Sequence, residues 1–238
     1  MVLMDQLDED SHKSAYEVTK DLKEGIIHAV EALANEALYY KKEVLKETFD
    51  ETDDTFESEV KDDCLSLIYR LLFVFYAESR ADLDILPISD KVYQKGYSLE
   101  MLRDLEQTQL ITDSSRNGYF FHQSLRKLFQ LMSSGYRETE NGANKSFRIR
   151  HIDSPLFDDN KLLHLKEIQF RNYVWQDVIC QLSLSRKQKN KARGRISYAN
   201  LGINQLGSVY ESLLAYRGFY AEVDYIEVHP AGKPNEGT

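Results

Sequence analysis

Residues Thr55 to Arg80 read TFESEVKDDCLSLIYRLLFVFYAESR, and this stretch decides the fold class. Val60, Cys64, Leu67, Ile68, Leu71, Leu72 and Phe75 recur at three- and four-residue steps, which places them on one helical face. Phe73, Val74 and Tyr76 fill the opposite side of the second half, so the spacing predicts a helix buried all round and central to the core. Upstream, Ala15, Val18, Leu22, Ile26, Val30, Leu33, Ala37 and Leu38 make one apolar stripe of a long helix from about Ser14 to Glu47. Gly25 reads as a soft spot in that helix, costing ~1 kcal/mol relative to Ala. Asp53, Asp54 or Thr55 is placed to cap the second helix.

Downstream of the Leu86–Pro87 break the elements shorten. Ser89 to Lys95 predicts one or two helical turns. Ser98 opens a helix with Met101, Leu102 and Leu105 inward, although its cap lacks the acid that a capping box wants at the third position. Asp113–Gly118 reads as a polar turn, and Tyr119–Tyr136 as a helix with Phe121, Leu125, Leu128, Phe129 and Met132 inward. Glu138–Lys145 reads as a loop, Ser146–Ile152 as a short strand, and Ile168–Leu184 as a helix. Ile196–Tyr198, a helix over Asn204–Tyr216 and a strand-like Phe219–Val228 follow. The expected architecture is mainly α: a multi-helix bundle with a few short β-strands in the C-terminal third. It divides into a helical bundle over 12–137, a loop over 138–145, a mixed helical and short-strand segment over 146–229, and a linker over 230–238.

The 238 residues are 42% hydrophobic and 29% charged, an ordinary globular balance. No apolar run approaches the ~18 residues a membrane span needs, and MVLMDQLDED lacks the layout of a signal peptide. The expectation is a cytoplasmic protein with no membrane partner. Cys64 and Cys180 fall in apolar helical patterns and read as core residues, too few for a disulfide framework or a four-cysteine zinc site.

No phosphate loop, dinucleotide turn, HExxH helix, GxSxG elbow or CxxC pair occurs, and the six histidines are scattered. No catalytic residue and no metal ligand is assigned. His151 and Asp153 with Asp158–Asp159 read as a strand end and a surface turn rather than a metal corner. Glu59-Val60-Lys61 matches the minimal acid-x-Lys of Mg²⁺-dependent nucleases, but its surroundings have helical spacing, so a divergent nuclease is the least favoured reading.

Net charge is −9, from 30 Lys and Arg against 39 Asp and Glu, which excludes a chain whose whole surface wraps nucleic acid. The charge is nonetheless uneven. Glu43 to Asp63 is densely acidic, while Arg186, Lys187, Lys189, Lys191, Arg193 and Arg195 stand together with no acid between them. Six such cations attract phosphates through counterion release, which makes them candidate DNA-backbone contacts. The alternative for the segment is a solvated basic loop between two helices. Aromatic residues do not interleave there, so stacking on single strands is not supported.

From Arg195 the chain reads RISYANLGINQLGSVYESLLAYRGFYAEVDYIEV. Ser197, Tyr198, Leu201, Gly202, Ile203, Leu206, Gly207, Val209, Tyr210, Glu211, Leu213 and Leu214 resemble a block found in restriction–modification and phage-defence proteins built on an adenine-specific DNA methyltransferase. A second stretch, LIYRLLFVFYAESRADLDILP followed by VYQKGYSLEMLRDL between Leu67 and Leu105, resembles the helical connector upstream of the methylase in type IIG-like members. The resemblance implies a bacterial parent enzyme that uses S-adenosylmethionine, with Mg²⁺ a further candidate, and meets double-stranded DNA. The family's cofactor site and NPPY motif have no counterpart here, so no catalytic residue carries over and no cofactor is expected in this chain. The resemblance thus implies a non-catalytic connector fragment whose partner is the methyltransferase domain of the same polypeptide. Leu206, Val209, Tyr210 and Leu213 form the apolar stripe expected to dock that domain, with Gly202 and Gly207 allowing close backbone approach. The same stripe also fits a helix that completes this domain's own core. A free-standing helical protein-interaction module, docking through the acidic Glu43–Asp63 face, is the alternative from another class.

Overall fold

The structure is a computed structural model that describes residues 2–48, 54–140, 143–185 and 193–214. Its elements are α1 (Val2–Tyr39), α2 (Asp54–Ser79), α3 (Lys91–Gly96), α4 (Leu99–Arg103), α5 (Asp113–Asn117), α6 (Phe120–Ser134), β1 (Tyr136–Glu140), β2 (Ala143–Ile149), α7 (Asn172–Ser183) and α8 (Ile203–Leu214). The fold is mainly α, with the two strands paired as an antiparallel hairpin.

Helix α2 takes the central place its sequence predicts. Val60, Cys64, Leu67, Ile68, Leu71, Val74 and Phe75 are buried, and α1, α4 and the short turns at Pro155–Phe157 and Tyr198–Asn200 close around the helix. Helix α1 buries Leu22, Ile26, Ala29, Leu33 and Ala37, one residue per turn, and lies against α7. Gly25 faces Gln181 while Glu36 faces Arg171, so the two helices run antiparallel. At the first point a Cβ on Gly25 would collide with the Gln181 carbonyl oxygen. The apparent soft spot is therefore a close approach of two backbones. At the second, Arg171 grips the buried Glu36 carboxylate with two donors at 2.6 Å each, and Tyr173 adds its hydroxyl at 3.1 Å.

Three α2 side chains spaced four and seven residues apart hold the irregular segment that follows the hairpin. Glu59 meets His164 Nε2 at 2.8 Å, and Asp63 accepts the backbone N–H groups of His164 and Leu165 at 2.7 and 3.1 Å. Arg70, 1% exposed, donates to the carbonyls of Leu156 and Asp158 and to the Asp159 carboxylate. These bonds are what make a buried guanidinium tolerable.

Several boundaries differ from the sequence reading. Helix α1 begins earlier than Ser14 and passes into a π-helical turn, Tyr40–Val44. The Asp113–Gly118 turn is helix α5, closed by a reciprocal Thr112–Ser115 capping box. The expected loop at 138–145 contributes residues to both strands, since Glu140 pairs with Ala143 and Thr139 with Asn144. Helix α7 starts at Asn172, after Ile168 and Phe170 have entered the core outside any helix. One buried cluster runs from Leu22 to Leu213, so the 12–137 and 146–229 stretches share a core. The expected strand at 219–228 and the linker at 230–238 lie outside the described residues.

Candidate functional site

The basic segment is the strongest chemical lead in the sequence, and its two ends are fixed by backbone pairing. Leu184 and Arg195 form an antiparallel bridge, Ser185 N–H donates to the Gly194 carbonyl at 2.8 Å, and Ile196 N–H donates to the Ser183 carbonyl at 2.7 Å. Ser185 Oγ also accepts the Gly194 N–H at 3.0 Å. The chain thus leaves α7 at Ser185 and returns beside it at Arg193. Arg186, Lys187, Lys189 and Lys191 lie in the interval, outside the described residues.

The two remaining cations of the expected DNA-contact set turn inward. Arg193 donates to the carbonyls of Cys180, Leu184 and Ser185, so it closes the C-terminal end of α7, where unpaired carbonyls favour a cation. Arg195 spreads over three carboxylates, Glu100 at 2.8 Å, Asp104 at 2.9 Å and Glu106 at 3.2 Å, and reaches the Arg103 carbonyl. That environment raises its guanidinium further above its ordinary range. Sequence spacing grouped these two arginines with the other four; the acids that claim Arg195 lie about ninety positions away in the chain.

Arg103, unremarked by the sequence reading, is the keystone between the bridge and the core. Its Nε donates to Ser183 Oγ at 2.8 Å, and its Nη2 to the Ser183 and Ile196 carbonyls at 3.2 and 2.9 Å. Its guanidinium lies 5.6 Å from the Phe75 ring centre. Ser183 Oγ donates a hydrogen bond to the buried Glu106 carboxylate, which Arg195 holds from the other side. Beyond the bridge, Tyr198 stacks on Phe75 at 4.8 Å and donates to the Leu182 carbonyl at 2.7 Å. Ile196, Tyr198 and Leu201 of the RISYANLG block are therefore wedged into the domain.

The docking stripe is placed differently from the expectation that it faces another domain. Val209 and Leu213 are buried in this chain's own core, as the alternative reading of the helix has it. Tyr210 is 43% exposed and packs its ring on Tyr69 at 4.5 Å. Leu206 belongs to α8, but its side chain lies outside the described ones. Gly207 has open space around it, and a Cβ on Gly202 would meet only the end of the Gln205 side chain, so neither glycine marks a close backbone approach.

The acid-x-Lys triplet sits within α2 with Val60 buried. On a helix residues two apart do not face each other, so Glu59 and Lys61 do not converge. Glu59 is paired with His164 and Lys61 lies 3.3 Å from Asp62. Among the described residues no group of three His, Cys, Asp or Glu is arranged to hold a metal ion. The acidic face is likewise partly committed, since Glu59 and Asp63 bind the chain's own 164–165 segment. Among the described residues no helix is long and apolar enough to cross a membrane.

Glu78 supplies the acid missing from the Ser98 cap. Ser98 Oγ accepts the Met101 N–H, and the Glu78 carboxylate, reaching across from α2, accepts those of Leu99 and Glu100 at 2.8 and 3.0 Å and the Tyr93 hydroxyl at 2.5 Å. Burial outweighs these donors and pushes the Glu78 carboxyl up to about 7. A cleft of about 510 Å³ opens beside it, and two of its acids, Glu100 and Asp104, are the ones Arg195 holds.

Comparison with family models, with curated proteins and with solved structures found no match to this chain.

Proposed function

We propose that the chain is a non-catalytic helical scaffold, the connector region of a restriction–modification-type DNA adenine-N6 methyltransferase, and that it touches the DNA backbone through Arg186, Lys187, Lys189 and Lys191. The observation that carries this reading is the closed base of the basic segment. Seven residues bearing four cations and no acid start and finish at one bridged point on a rigid helix end. Arg193 and Arg195 leave the contact set, because their charges are used to build that point. Two residues of the block resembling the methyltransferase family, Tyr198 and Leu201, are buried just past that point, next to Ile196, and anchor it from the other side. The catalytic domain and its S-adenosylmethionine belong, in this reading, to the rest of the parent polypeptide.

The test is fluorescence anisotropy of a labelled DNA duplex against salt. Four phosphate contacts give a slope of log affinity on log salt of about −3 to −4. The variant Arg186→Gln/Lys187→Gln/Lys189→Gln/Lys191→Gln should bring it near zero with the fold unchanged. A flat salt profile for the unaltered chain, or an unchanged slope in the variant, refutes the proposal. Calorimetric binding of S-adenosylmethionine by this chain alone would refute its non-catalytic part.

A further inference from the structure

A second polar site lies away from the basic segment, where the first turn of α7 meets α2 and α6. A cavity of about 40 Å³ opens there to solvent, with Leu125, Phe129 and Trp175 among its apolar walls. At ~10–15 Å³ per water-sized position, it admits about three oxygen atoms. Its polar lining holds two cations, Arg126 and Lys166, together with the His122 ring, beside the Arg70–Asp159 pair. Arg70 and Asp159 are bonded to each other at 2.5 Å, so that pair adds little net charge. Arg126 and Lys166 are both exposed, and neither has a carboxylate partner among the described residues; Lys166 bonds only the Asn160 amide oxygen, at 2.8 Å.

His122 gives the cavity a donor of fixed polarity. Its Nδ1 accepts the Phe170 backbone N–H and the Trp175 indole N–H, each at 3.4 Å, which leaves the ring proton on Nε2. Nε2 has no hydrogen-bond partner among the described residues. Burial, reinforced by the nearby Arg126, lowers the ring to about 4, so it stays a neutral N–H donor through the physiological range.

We infer that this cavity is an oxyanion site, sized for one phosphate group, with Arg126 and Lys166 supplying charge and His122 Nε2–H a directed hydrogen bond. A terminal phosphate offers three non-bridging oxygens, and free phosphate three of its four, to a space that holds about three, and an apolar lining strengthens charge-assisted bonds to it. A nucleobase or sugar ring is too large for the cavity, so the recognised chemistry is the phosphate itself, free or at the end of a strand. The inference stands apart from the proposed role of the basic segment, because no residue is shared between them.

Trp175, the only tryptophan in the chain, lines the cavity and bonds His122, so its emission reports directly on the site. The folded chain is titrated with inorganic phosphate at ionic strength held constant with sodium chloride. A 5′-phosphorylated short oligonucleotide is titrated beside its dephosphorylated form. A saturable emission change with either phosphate probe, absent with chloride and with the dephosphorylated strand, supports the site, and the tighter probe names its source. Arg126→Ala/Lys166→Ala alters two exposed residues and should weaken the midpoint about tenfold or more. The variant in the basic segment should leave the phosphate titration unchanged. No saturation by either probe, or equal midpoints for the unaltered chain and the Arg126/Lys166 variant, overturns the inference.

Discussion

Replacing Arg103 by alanine tests whether one side chain ties the base of the basic segment to the core. The guanidinium is 12% exposed and donates to Ser183 Oγ and to the carbonyls of Ser183 and Ile196. In the alanine variant Ser183 keeps other partners, the Ile196 amide and Glu106, whereas the Ile196 carbonyl loses its bond from Arg103. Leaving one buried carbonyl unpaired costs about 1–3 kcal/mol, and losing two further bonds from a charged donor adds about 1–2 kcal/mol in net terms. The expected sum, about 2–5 kcal/mol, is a large part of the ~5–15 kcal/mol that holds a typical domain folded. Arg103→Lys should recover about a third of it, since an ammonium cannot span three acceptors fixed for a planar fork. Urea denaturation followed by circular dichroism gives the stability change. Hydrogen exchange at the Ser185 and Ile196 amides, the two donors of the bridge, reports where it acts. If Arg103→Ala stays within ~1 kcal/mol of the unaltered chain, or both amides keep their protection, the keystone role is wrong.

Other substitutions read out separate parts of the fold. Gly25→Ala improves helix propensity by ~1 kcal/mol yet drives a methyl into the Gln181 carbonyl, so a net destabilisation of about 1–2 kcal/mol is expected in thermal melts; stabilisation would contradict the tight α1–α7 crossing. Glu78 carries a pH signature with a definite sign. Its folded carboxyl sits near 7, above the ordinary 4.5, so its contribution is fully present below about pH 4.5 and fades as pH rises through 7. Urea midpoints between pH 5 and 8 should therefore fall more steeply for the unaltered chain than for Glu78→Gln, and parallel profiles would remove Glu78 as the cause. Glu36→Gln breaks the bidentate clamp on Arg171 and leaves a partly buried guanidinium short of charge, with an expected loss of about 2–4 kcal/mol by urea denaturation.

The elements that pack by periodicity were legible, and those that depend on a distant partner were not. Helix α2 lies within one residue of its expected bounds, because burial on every side leaves a dense apolar pattern in a single segment. The hairpin was missed at Glu138–Lys145 because its residues are polar and its pairing is made by backbone. The usable signal was Asn141-Gly142, a dipeptide favoured in two-residue hairpin turns. The Ser98 cap was half visible, since the hydroxyl is local and its acid, Glu78, lies twenty residues upstream.

The candidate site divides along the same line. Sequence alone determined that this is a mainly helical chain and that six cations cluster from Arg186 to Arg195, because composition and period are local properties. Tertiary structure decided that Arg193 and Arg195 are structural, that Gly25 sits where α1 presses against the α7 backbone, and that Val209 and Leu213 complete this domain's own core. It also brought Arg126, Lys166 and His122 around one cavity. Charge pairing and close packing depend on distances through space, and residues ninety positions apart can meet within 3 Å only once the chain has folded.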